Sequence, residues 1–283
     1  MSAPATITPC QFQGQPAIAL STAEGARALV SLFGGQVLSW TPAGGEERLY
    51  LSEQARFDAH TPLRGGVPVC FPQFAAQGRL PRHGLLRTAQ WQVREQRADA
   101  HFALLTLGTC ETDASHAVWP HCFDAELTLV IEGPRLDVEL EIRNTSHAPF
   151  AFNAALHTYL RVREVEHCQL HGLSGLQYRT QPDNRLSHDS AEALVVDDRV
   201  DRVYHNVPGP LLLQDSGRNL QISQQGFPDV VVWNPWEHDC AQLADMPARG
   251  FRNMLCVEAA AVRSKIQLDA DDSWVGRQSL LAL

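Results

Sequence analysis

Two ionisable side chains lie in segments that otherwise consist of apolar or small residues. His157 lies within ALHTYL (155–160), and Glu258 is the only charged residue of MLCVEAAAV (254–262). Imidazole and carboxyl groups are common general acids and bases, and burial shifts their pKa values toward that use. Each residue also has a simpler interpretation: a histidine with structural hydrogen bonds, or a glutamate on an edge strand that points to water. Both interpretations stay open on the local sequence.

A third segment, LRGGVPVCFPQFAAQGRLPRHGLLR (63–87), is rich in basic residues. Gly65 and Gly66 permit another stretch of backbone to approach closely. Arginine binds carboxylate or phosphate groups through two parallel hydrogen bonds. Lys265 is the only lysine of the chain, so a single arginine carries little information, and a solvated loop remains the alternative. The candidate binding side chains of this segment are Arg64, Gln73, Arg79, Arg82, His83 and Arg87.

Metal-dependent and covalent chemistry receive little support from the spacing of these residues. His83, His157, Asp201 and Glu258 come from separate segments, and the chain has neither an HxH nor an HExxH motif. It also lacks the GxSxG motif of a nucleophile elbow and the GxxxxGK[ST] motif of a nucleotide P-loop. We therefore predict a site without a metal or a cofactor.

The net charge of −9 limits the classes of partner. A field of that sign repels phosphate, so we predict no binding to nucleic acid or to an anionic membrane. A small anion could still bind where arginines are concentrated. The seven cysteines form no CxxC pair, and the sequence contains neither a signal-peptide pattern nor an apolar run of about 18 residues. We expect a cytoplasmic protein with reduced thiols and, since no apolar interface stripe is evident, a monomer.

Short runs of alternating apolar and polar residues predict the elements that position these side chains. Residues 26–40 predict two strands around a Gly-Gly break, and residues 125–131 and 136–142 predict a hairpin that turns at Gly133 and Pro134. Residues 187–204 mix acidic and turn-forming residues and predict a long connection. No segment keeps helical spacing over three turns. We therefore predict an all-β fold, a large antiparallel sandwich that forms one domain over residues 1–283.

Strand periodicity separates the residues around His157 into two faces. Leu156, Thr158 and Leu160 form a mostly apolar face that should pack on the core. Asn153, His157 and Tyr159 would then share the opposite face and line a groove or meet solvent. By the same rule, Glu258 shares a face with Met254, Cys256 and Ala260.

Seven motifs occur in order from Arg64 to Glu258: RGGVPVCFPQF, LPRHGLLR, WPHCF, ALHTYL, VDRVY, VVWNPW and MLCVEAA. The flanking strands fit the same pattern, so the match covers nearly the whole chain. Together they resemble the hexose-6-phosphate mutarotases, the glucose-6-phosphate 1-epimerase branch of the aldose 1-epimerase family. The resemblance implies a galactose mutarotase-like β-sandwich with the sugar site on the concave face of a sheet. It also implies an isomerase that interconverts the α and β anomers of a hexose 6-phosphate.

The resemblance assigns roles to individual residues. His157 and Glu258 match the catalytic histidine and glutamate, and Asp201, in VDRVY, matches a carboxylate that contacts the sugar. Arg64 and Arg87 match the expected phosphate site, and His83 is expected to face the pocket. The predicted substrate-binding set is Arg64, Gln73, Arg82, His83, Arg87, Asp201 and Trp233. Arg82 departs from the family pattern, because relatives often carry Gln or a small residue before the HG pair.

The expected mechanism is acid–base opening and closure of the sugar ring. Glu258 would take the proton of the C1 hydroxyl, and protonated His157 would give one to the ring oxygen. This needs a raised pKa for Glu258 and a raised or near-normal pKa for His157. Two alternatives remain: an aldose 1-epimerase that acts on unphosphorylated hexoses, and a non-catalytic protein that binds sugar phosphates.

Overall fold

The computed structural model describes residues 4–283, and within that range the chain is mostly β-strand. Two short α-helices, α1 (Asp113–Val118) and α2 (Trp236–Cys240), interrupt the strands. In chain order the strands are β1 (Thr6–Phe12), β2 (Gln15–Ser21), β3 (Arg27–Ser31), β4 (Val37–Thr41), β5 (Val69–Cys70), β6 (Gln92–Ala98), β7 (Phe102–Cys110), β8 (Phe123–Glu132), β9 (Arg135–Asn144), β10 (Phe150–Leu156), β11 (Tyr159–Arg161), β12 (Gln169–His171), β13 (Gln177–Thr180), β14 (Leu186–His188), β15 (Ala193–Leu194), β16 (Val200–Tyr204), β17 (Leu211–Gln214), β18 (Leu220–Gln225), β19 (Asp229–Asn234), β20 (Met254–Leu268) and β21 (Ser273–Ala282).

Within residues 4–283 the strands form three sheets. A four-stranded sheet has the order β1-β2-β3-β4, and a nine-stranded sheet has the order β15-β12-β17-β18-β21-β9-β8-β7-β6. The eight-stranded sheet has the order β14-β13-β16-β19-β20-β10-β5, with β11 paired to β20 beyond the end of β10. Neighbouring strands in it are antiparallel, so the predicted all-β antiparallel sandwich is confirmed.

The hairpin predicted from alternation is present as β8 and β9. Glu132 pairs with Arg135 across a two-residue loop, and Gly133 takes a φ of +50°, which glycine adopts without strain. Every second side chain of β8 is buried in the main core, since one face of the strand packs inward while the other meets solvent. The strands predicted around the Gly-Gly break are also present, as β3 and β4.

Strand β20, at the centre of the eight-stranded sheet, has a different burial pattern from β8 and β9. Its residues 254–262 are buried without alternation, because both faces of the strand are covered. One face contributes to the core shared with the nine-stranded sheet. The other face carries Glu258 and supports the cavity described below.

Two predictions about elements are wrong. Residues 187–204 are not a plain connection, because β15 lies within them and β16 closes them and places Asp201 on a strand. The predicted continuous strand through ALHTYL is interrupted: β10 ends at Leu156, and β11 begins at Tyr159. His157 and Tyr159 line the cavity described below, as their predicted face requires. Asn153 does not line it, and its amide donates to the Ala261 carbonyl oxygen at 3.2 Å.

No helix within residues 4–283 is long and apolar enough to cross a membrane. The single domain expected over residues 1–283 stays a prediction.

Candidate active site

A cavity of about 370 Å³ lies on the open face of the eight-stranded sheet. Strands β16, β19, β20 and β11 supply its floor, and the loop of residues 74–87 supplies one wall. It brings together eight of the nine site residues predicted from the sequence: Arg64, Arg82, His83, Arg87, His157, Asp201, Trp233 and Glu258.

His157 is positioned by the interruption between β10 and β11. Its backbone N–H donates to the carbonyl oxygen of Pro68 at 2.9 Å instead of to a neighbouring strand. The Thr158 hydroxyl donates to Gln278 on the opposite face and anchors the interruption in the core. The imidazole stacks on the ring of Tyr159 at 4.8 Å between centroids, with 8° between the planes. This stacking fixes the orientation of a side chain that is only 8% exposed.

Glu258 lies beside His157 at the bottom of the cavity. It pairs with Val231 in the sheet and is 1% exposed. Its Oε1 is 3.3 Å from His157 Nδ1, without the geometry of a hydrogen bond. Among residues 4–283, neither His157 Nδ1 nor Glu258 Oε2 has a hydrogen-bond partner. Buried polar atoms usually have one, so each side chain of the pair lacks a hydrogen bond that most buried groups make.

Burial shifts the pKa values of the two groups in opposite directions. It raises the pKa of Glu258 well above the ordinary value, and Asp201 adds to the rise. It lowers the pKa of His157 well below the ordinary value, with further contributions from His83, Arg64 and Arg87. The expectation of a raised or near-normal histidine pKa is therefore wrong. In the charged state of the pair, the carboxylate is a stronger base and the imidazolium a stronger acid than in water.

His83 faces the same cavity from the loop wall. Its backbone is left-handed, with a φ of +64°, and Gly84 follows at +80°. Burial, together with Arg87, Arg82 and Arg64, lowers the pKa of His83 to about 3, so the ring is neutral. Its Nδ1 accepts the backbone N–H of Ala75 at 3.3 Å. The ring proton is then on Nε2, which can donate to a ligand.

Four arginines line the cavity, and they differ in how their charges are balanced. Arg64 pairs with Asp245 at 3.2 Å and donates to the Tyr159 hydroxyl at 3.0 Å. Arg82 and Arg87 have no carboxylate within 4.0 Å among the residues that the structure describes. Burial lowers the pKa of Arg87, and contributions from Cys70 and Tyr159 oppose this only in part. An anion bound between them would supply the missing partner.

Two glycines explain how Arg64 reaches the cavity. Gly65 and Gly66 have φ values of +116° and +62°. A Cβ atom would lie 2.3 Å from the Tyr50 carbonyl oxygen at Gly65 and 2.1 Å from the Val37 carbonyl oxygen at Gly66. The backbone after Arg64 therefore packs directly against two other segments, as the Gly-Gly pair predicts.

Asp201 of β16 and Trp233 of β19 lie side by side on the floor of the cavity. Asp201 pairs with Trp233 in the sheet, and its carboxylate accepts from Arg199 Nη2 at 2.9 Å. Burial raises the pKa of Asp201 to about 6, although Arg199 and Arg82 oppose the rise. The Trp233 ring lies edge-on to the rings of His157 and Tyr159, with centroids 6.2 and 6.0 Å away. This part of the floor offers an aromatic surface and a carboxylate, both suited to a sugar.

Gln73 does not line the cavity. Its Nε2 donates to the carbonyl oxygens of Ala75 and Leu80, and its Oε1 accepts the Leu80 N–H, each at 3.1 Å. The amide thus ties together the two ends of the loop that carries Arg82 and His83. The structure gives Gln73 a supporting position instead of the predicted contact with substrate.

One group of side chains near the pair has the composition of a metal site. Ligand atoms of His157, Cys256 and Glu258 lie within 4.8 Å of one another. Burial and the neighbouring Glu258 raise the pKa of Cys256 well above the ordinary value, so its thiol keeps its proton. The sulfur therefore does not take part in the acid–base chemistry of the His157–Glu258 pair.

Several cavity residues were missed by the sequence analysis. Arg199 lies just before β16 and donates to the Asp201 carboxylate, but the sequence of residues 187–204 does not predict a strand there. Tyr159 is absent from the predicted binding set, although strand alternation predicts that it shares a face with His157, and it contacts both His157 and Arg64. Gln77 and Gln181 also line the cavity and carry no recognisable signal.

Comparisons with known proteins show which family and fold the chain has. The family model for aldose 1-epimerase matches residues 16–281. A protein of Cenchrus ciliaris with the name "putative glucose-6-phosphate 1-epimerase" is 34% identical over 95% of this chain and 85% of its own length. The crystal structure of a "putative mutarotase" from Salmonella typhimurium superposes with a TM-score of 0.90 at 28% identity, covering 98% of this chain and 93% of that one. Galactose 1-epimerase from Lactobacillus acidophilus NCFM has the same fold, with a TM-score of 0.76 at 16% identity over 100% of this chain and 99% of its own.

Proposed function

We propose that this chain, which belongs to the aldose 1-epimerase family, interconverts the α and β anomers of hexose 6-phosphates, with glucose 6-phosphate as the first candidate. The observation that carries the proposal is the buried pair of His157 and Glu258. Their atoms lie 3.3 Å apart at the bottom of the cavity, and each side chain has a polar atom without a partner among residues 4–283. A protein that only binds sugar phosphates has no need of such a pair.

Ring opening begins with the pair in its charged state. The Glu258 carboxylate takes the proton from the C1 hydroxyl, and the C1–O5 bond breaks as the C1 carbonyl forms. The electron pair of that bond passes to O5, which takes a proton from the His157 imidazolium. The pair is then neutral, the state that burial favours through the raised pKa of Glu258 and the lowered pKa of His157. Rotation about C1–C2 and reversal of both transfers close the ring on the other face.

The arginines support a phosphorylated substrate. Arg82 and Arg87 are cations without carboxylate partners among the described residues, and Arg64 lies on the same cavity. A 6-phosphate held by Arg64 and Arg87 would hold O5 near His157, because C5 connects the ring oxygen to C6. The roles of Asp201 and Trp233 in this proposal are contacts to the hydroxyls and to one face of the ring.

NMR exchange spectroscopy of glucose 6-phosphate tests the activity. We expect the wild-type protein to accelerate exchange between the two anomers, and His157→Ala and Glu258→Ala to abolish the acceleration. Acceleration of free glucose or galactose alone would replace the proposal by an epimerase of unphosphorylated hexoses. Calorimetric binding without acceleration of either sugar would show a binding protein.

Arg87→Gln tests the phosphate contact. The variant should lose far more kcat/KM on glucose 6-phosphate than on free glucose, since the neutral sugar makes no ion pair with Arg87. Arg97→Gln is the matched control, because Arg97 is exposed on β6 and does not line the cavity. Equal losses on both sugars would assign Arg87 a structural role. Arg64→Ala should show the same preference.

The remaining proposals concern partners and location. We propose a monomeric, cytoplasmic protein that binds a small sugar phosphate and neither nucleic acid nor membrane. The net charge of −9 supports the last two points, and the free thiols of all seven cysteines support a reducing compartment.

A further inference from the structure

Arg199 lines the proposed active site just before β16, and the anomer exchange described above gives it no role. Its side chain joins three separate segments of the chain. Nε donates to the Asp239 carboxylate on α2 at 2.8 Å, and Nη1 donates to the Gln181 carbonyl oxygen at 2.8 Å. Nη2 donates to Asp201 Oδ2 at 2.9 Å. Each nitrogen of this guanidinium group therefore has a partner within the protein.

These contacts set Arg199 apart from the other arginines of the cavity. Arg82 and Arg87 have no carboxylate within 4.0 Å among residues 4–283, whereas Arg199 is paired with both Asp201 and Asp239. A guanidinium group that two carboxylates already balance attracts a further anion only weakly. Its planar fork does fix the direction of each donor, so it can orient the groups that accept from it. Arg199 is therefore suited to holding other residues in place and poorly suited to binding phosphate.

Asp201 is the group that this fork orients toward the cavity. Its backbone carbonyl oxygen accepts the Gln181 N–H at 2.9 Å, so Arg199 and the backbone fix the same stretch of β16. Among residues 4–283, the hydrogen bond from Arg199 is the only one that the Asp201 carboxylate accepts. The other oxygen, Oδ1, has no protein partner in that range and is not enclosed by protein. A hydroxyl group in the cavity can therefore donate to Oδ1.

The charge of Asp201 also depends on Arg199. Burial raises the pKa of Asp201 to about 6, and Arg199 is the strongest of the groups that oppose the rise. Arg82 on the loop wall opposes it as well, Asp239 on α2 adds to it, and Glu258 on β20 is a further acid that faces Asp201. Without Arg199 the pKa would rise further, because burial would act with less compensation. Asp201 would then carry a proton near neutral pH and would no longer be a charged acceptor.

We propose that Arg199 is a positioning residue of the sugar site. It keeps Asp201 charged and turned so that Oδ1 accepts a hydroxyl hydrogen of the sugar ring. The proposal rests on the proposed function, since it takes a hexose 6-phosphate as the ligand, but it concerns binding and not the proton transfers at His157 and Glu258. Through Asp239, helix α2 supports the same contact from outside the sheet.

Calorimetric titration with glucose 6-phosphate between about pH 5.5 and 8.5 tests the proposal. Wild-type binding should tighten as the pH rises through about 6, where Asp201 loses its proton. The second ionisation of a phosphate, also near pH 6, is common to all variants and cancels in their ratios. In Arg199→Gln we expect about tenfold weaker binding near pH 6.5, with the tightening moved to higher pH. The ratio to wild type should therefore shrink as the pH approaches 8.5.

Arg199→Lys separates charge from orientation. Lysine keeps the positive charge beside Asp201 but lacks the fork that reaches three partners. The pH of the tightening should stay at its wild-type value, while binding is about two- to fivefold weaker at every pH. Full wild-type affinity in Arg199→Lys would show that the fork has no positioning role, and this holds even if Arg199→Gln folds poorly.

Arg202→Gln is the matched control. Arg202 lies on β16 with a side chain that is 29% exposed, against 35% for Arg199, and it pairs with Asp189 at 3.2 Å. It does not line the cavity, so its loss should leave the affinity unchanged at every pH. Equal losses in Arg199→Gln and Arg202→Gln, without a shift along the pH axis, would make Arg199 merely structural. Wild-type binding in Arg199→Gln would overturn the proposal directly.

Anomer exchange measured on the same samples separates this proposal from the proposed function. Accelerated exchange by the wild type, with unchanged binding in Arg199→Gln, would reject the role of Arg199 and leave the epimerase intact. Binding without acceleration, together with the pH-shifted loss in Arg199→Gln, would support the role of Arg199 and reject the epimerase. A wild-type protein that neither binds glucose 6-phosphate nor accelerates its exchange would overturn both.

Discussion

Two buried histidine–carboxylate pairs lie against the same eight-stranded sheet, and their hydrogen bonding differs. His157 and Glu258 approach to 3.3 Å without hydrogen-bond geometry, and both keep polar atoms unpartnered within residues 4–283. His205 and Asp229 are 3.4 Å apart in hydrogen-bond geometry, and Asp229 accepts two backbone N–H groups as well. A histidine and a carboxylate can therefore form a reactive pair or a structural one. The outcome depends on whether the carboxylate oxygens already accept hydrogen bonds from the protein.

The difference has an energetic meaning. A buried polar group without a partner costs about 1–3 kcal/mol, so a fold tolerates it where a ligand later completes the hydrogen bonds. Glu258 is a buried group of this kind, with an oxygen that has no partner among residues 4–283. This fits a group that must exchange protons with substrate. Asp229 differs, since its hydrogen bonds hold the backbone of β20 at Val262 and Arg263 and orient His205.

The largest expected effect separates the two pairs by activity. Glu258→Gln keeps the size of the side chain but removes the base, so acceleration of glucose 6-phosphate anomer exchange should fall about 10²–10⁴-fold. Asp229→Asn should keep most of the acceleration when rates are corrected for the folded fraction. Comparable losses in the two variants would mean that the distinction drawn from their hydrogen bonds is wrong.

Stability should separate the pairs in the opposite sense. Asp229→Asn weakens charge-assisted hydrogen bonds to Val262 and Arg263, and we expect a loss of about 1–3 kcal/mol in the free energy of unfolding. Glu258→Gln should be neutral or stabilising, because an amide is buried more easily than a carboxylate. Denaturant titration of both variants measures the difference, and a larger loss in Glu258→Gln would contradict it.

The sequence predicts much of the fold because its signals are local. Alternation marks β8 and β9 clearly, since one face is buried and the other is wet. It fails at β16, where Asp201 and Arg202 interrupt the apolar pattern because Asp201 faces a polar cavity. It also fails at His157, where Pro68, distant in sequence, provides the backbone acceptor that replaces strand pairing.

The site was predictable in its residue types more than in its contacts. His157 and Glu258 stand out as charged groups in apolar segments, and the motif resemblance gives their roles. The pairing of Arg64 with Asp245, however, joins segments far apart in the chain. Gln73 was assigned to substrate from its neighbours, whereas its amide holds the loop. His205 shows nothing unusual in sequence, because its partner Asp229 belongs to the neighbouring strand.

A pH series sharpens the stability comparison. The raised pKa of Glu258 means that the folded protein holds this proton more tightly than the unfolded chain. The stabilisation is complete below the unfolded pKa and is lost as the pH rises through the folded pKa. Glu258→Gln lacks this loss, so its stability relative to wild type should grow with pH, by at most about 1.4 kcal/mol per unit. A constant difference between pH 5 and 9 would indicate that the carboxyl group is not perturbed by burial.

The smallest expected effect concerns Tyr159. This residue contacts His157 of the His157–Glu258 pair, and the His205–Asp229 pair has no corresponding residue. Its ring stacks on His157, and its hydroxyl accepts a hydrogen bond from Arg64 at 3.0 Å. Tyr159→Phe keeps the stacking and removes that hydrogen bond, while Asp245 still holds the guanidinium. We expect a two- to tenfold rise in KM for glucose 6-phosphate, about 0.5–1.5 kcal/mol, with kcat unchanged and free glucose unaffected. A fall in kcat on both sugars would instead mean that the hydroxyl acts through His157, so that the proton-transfer pair extends to the tyrosine.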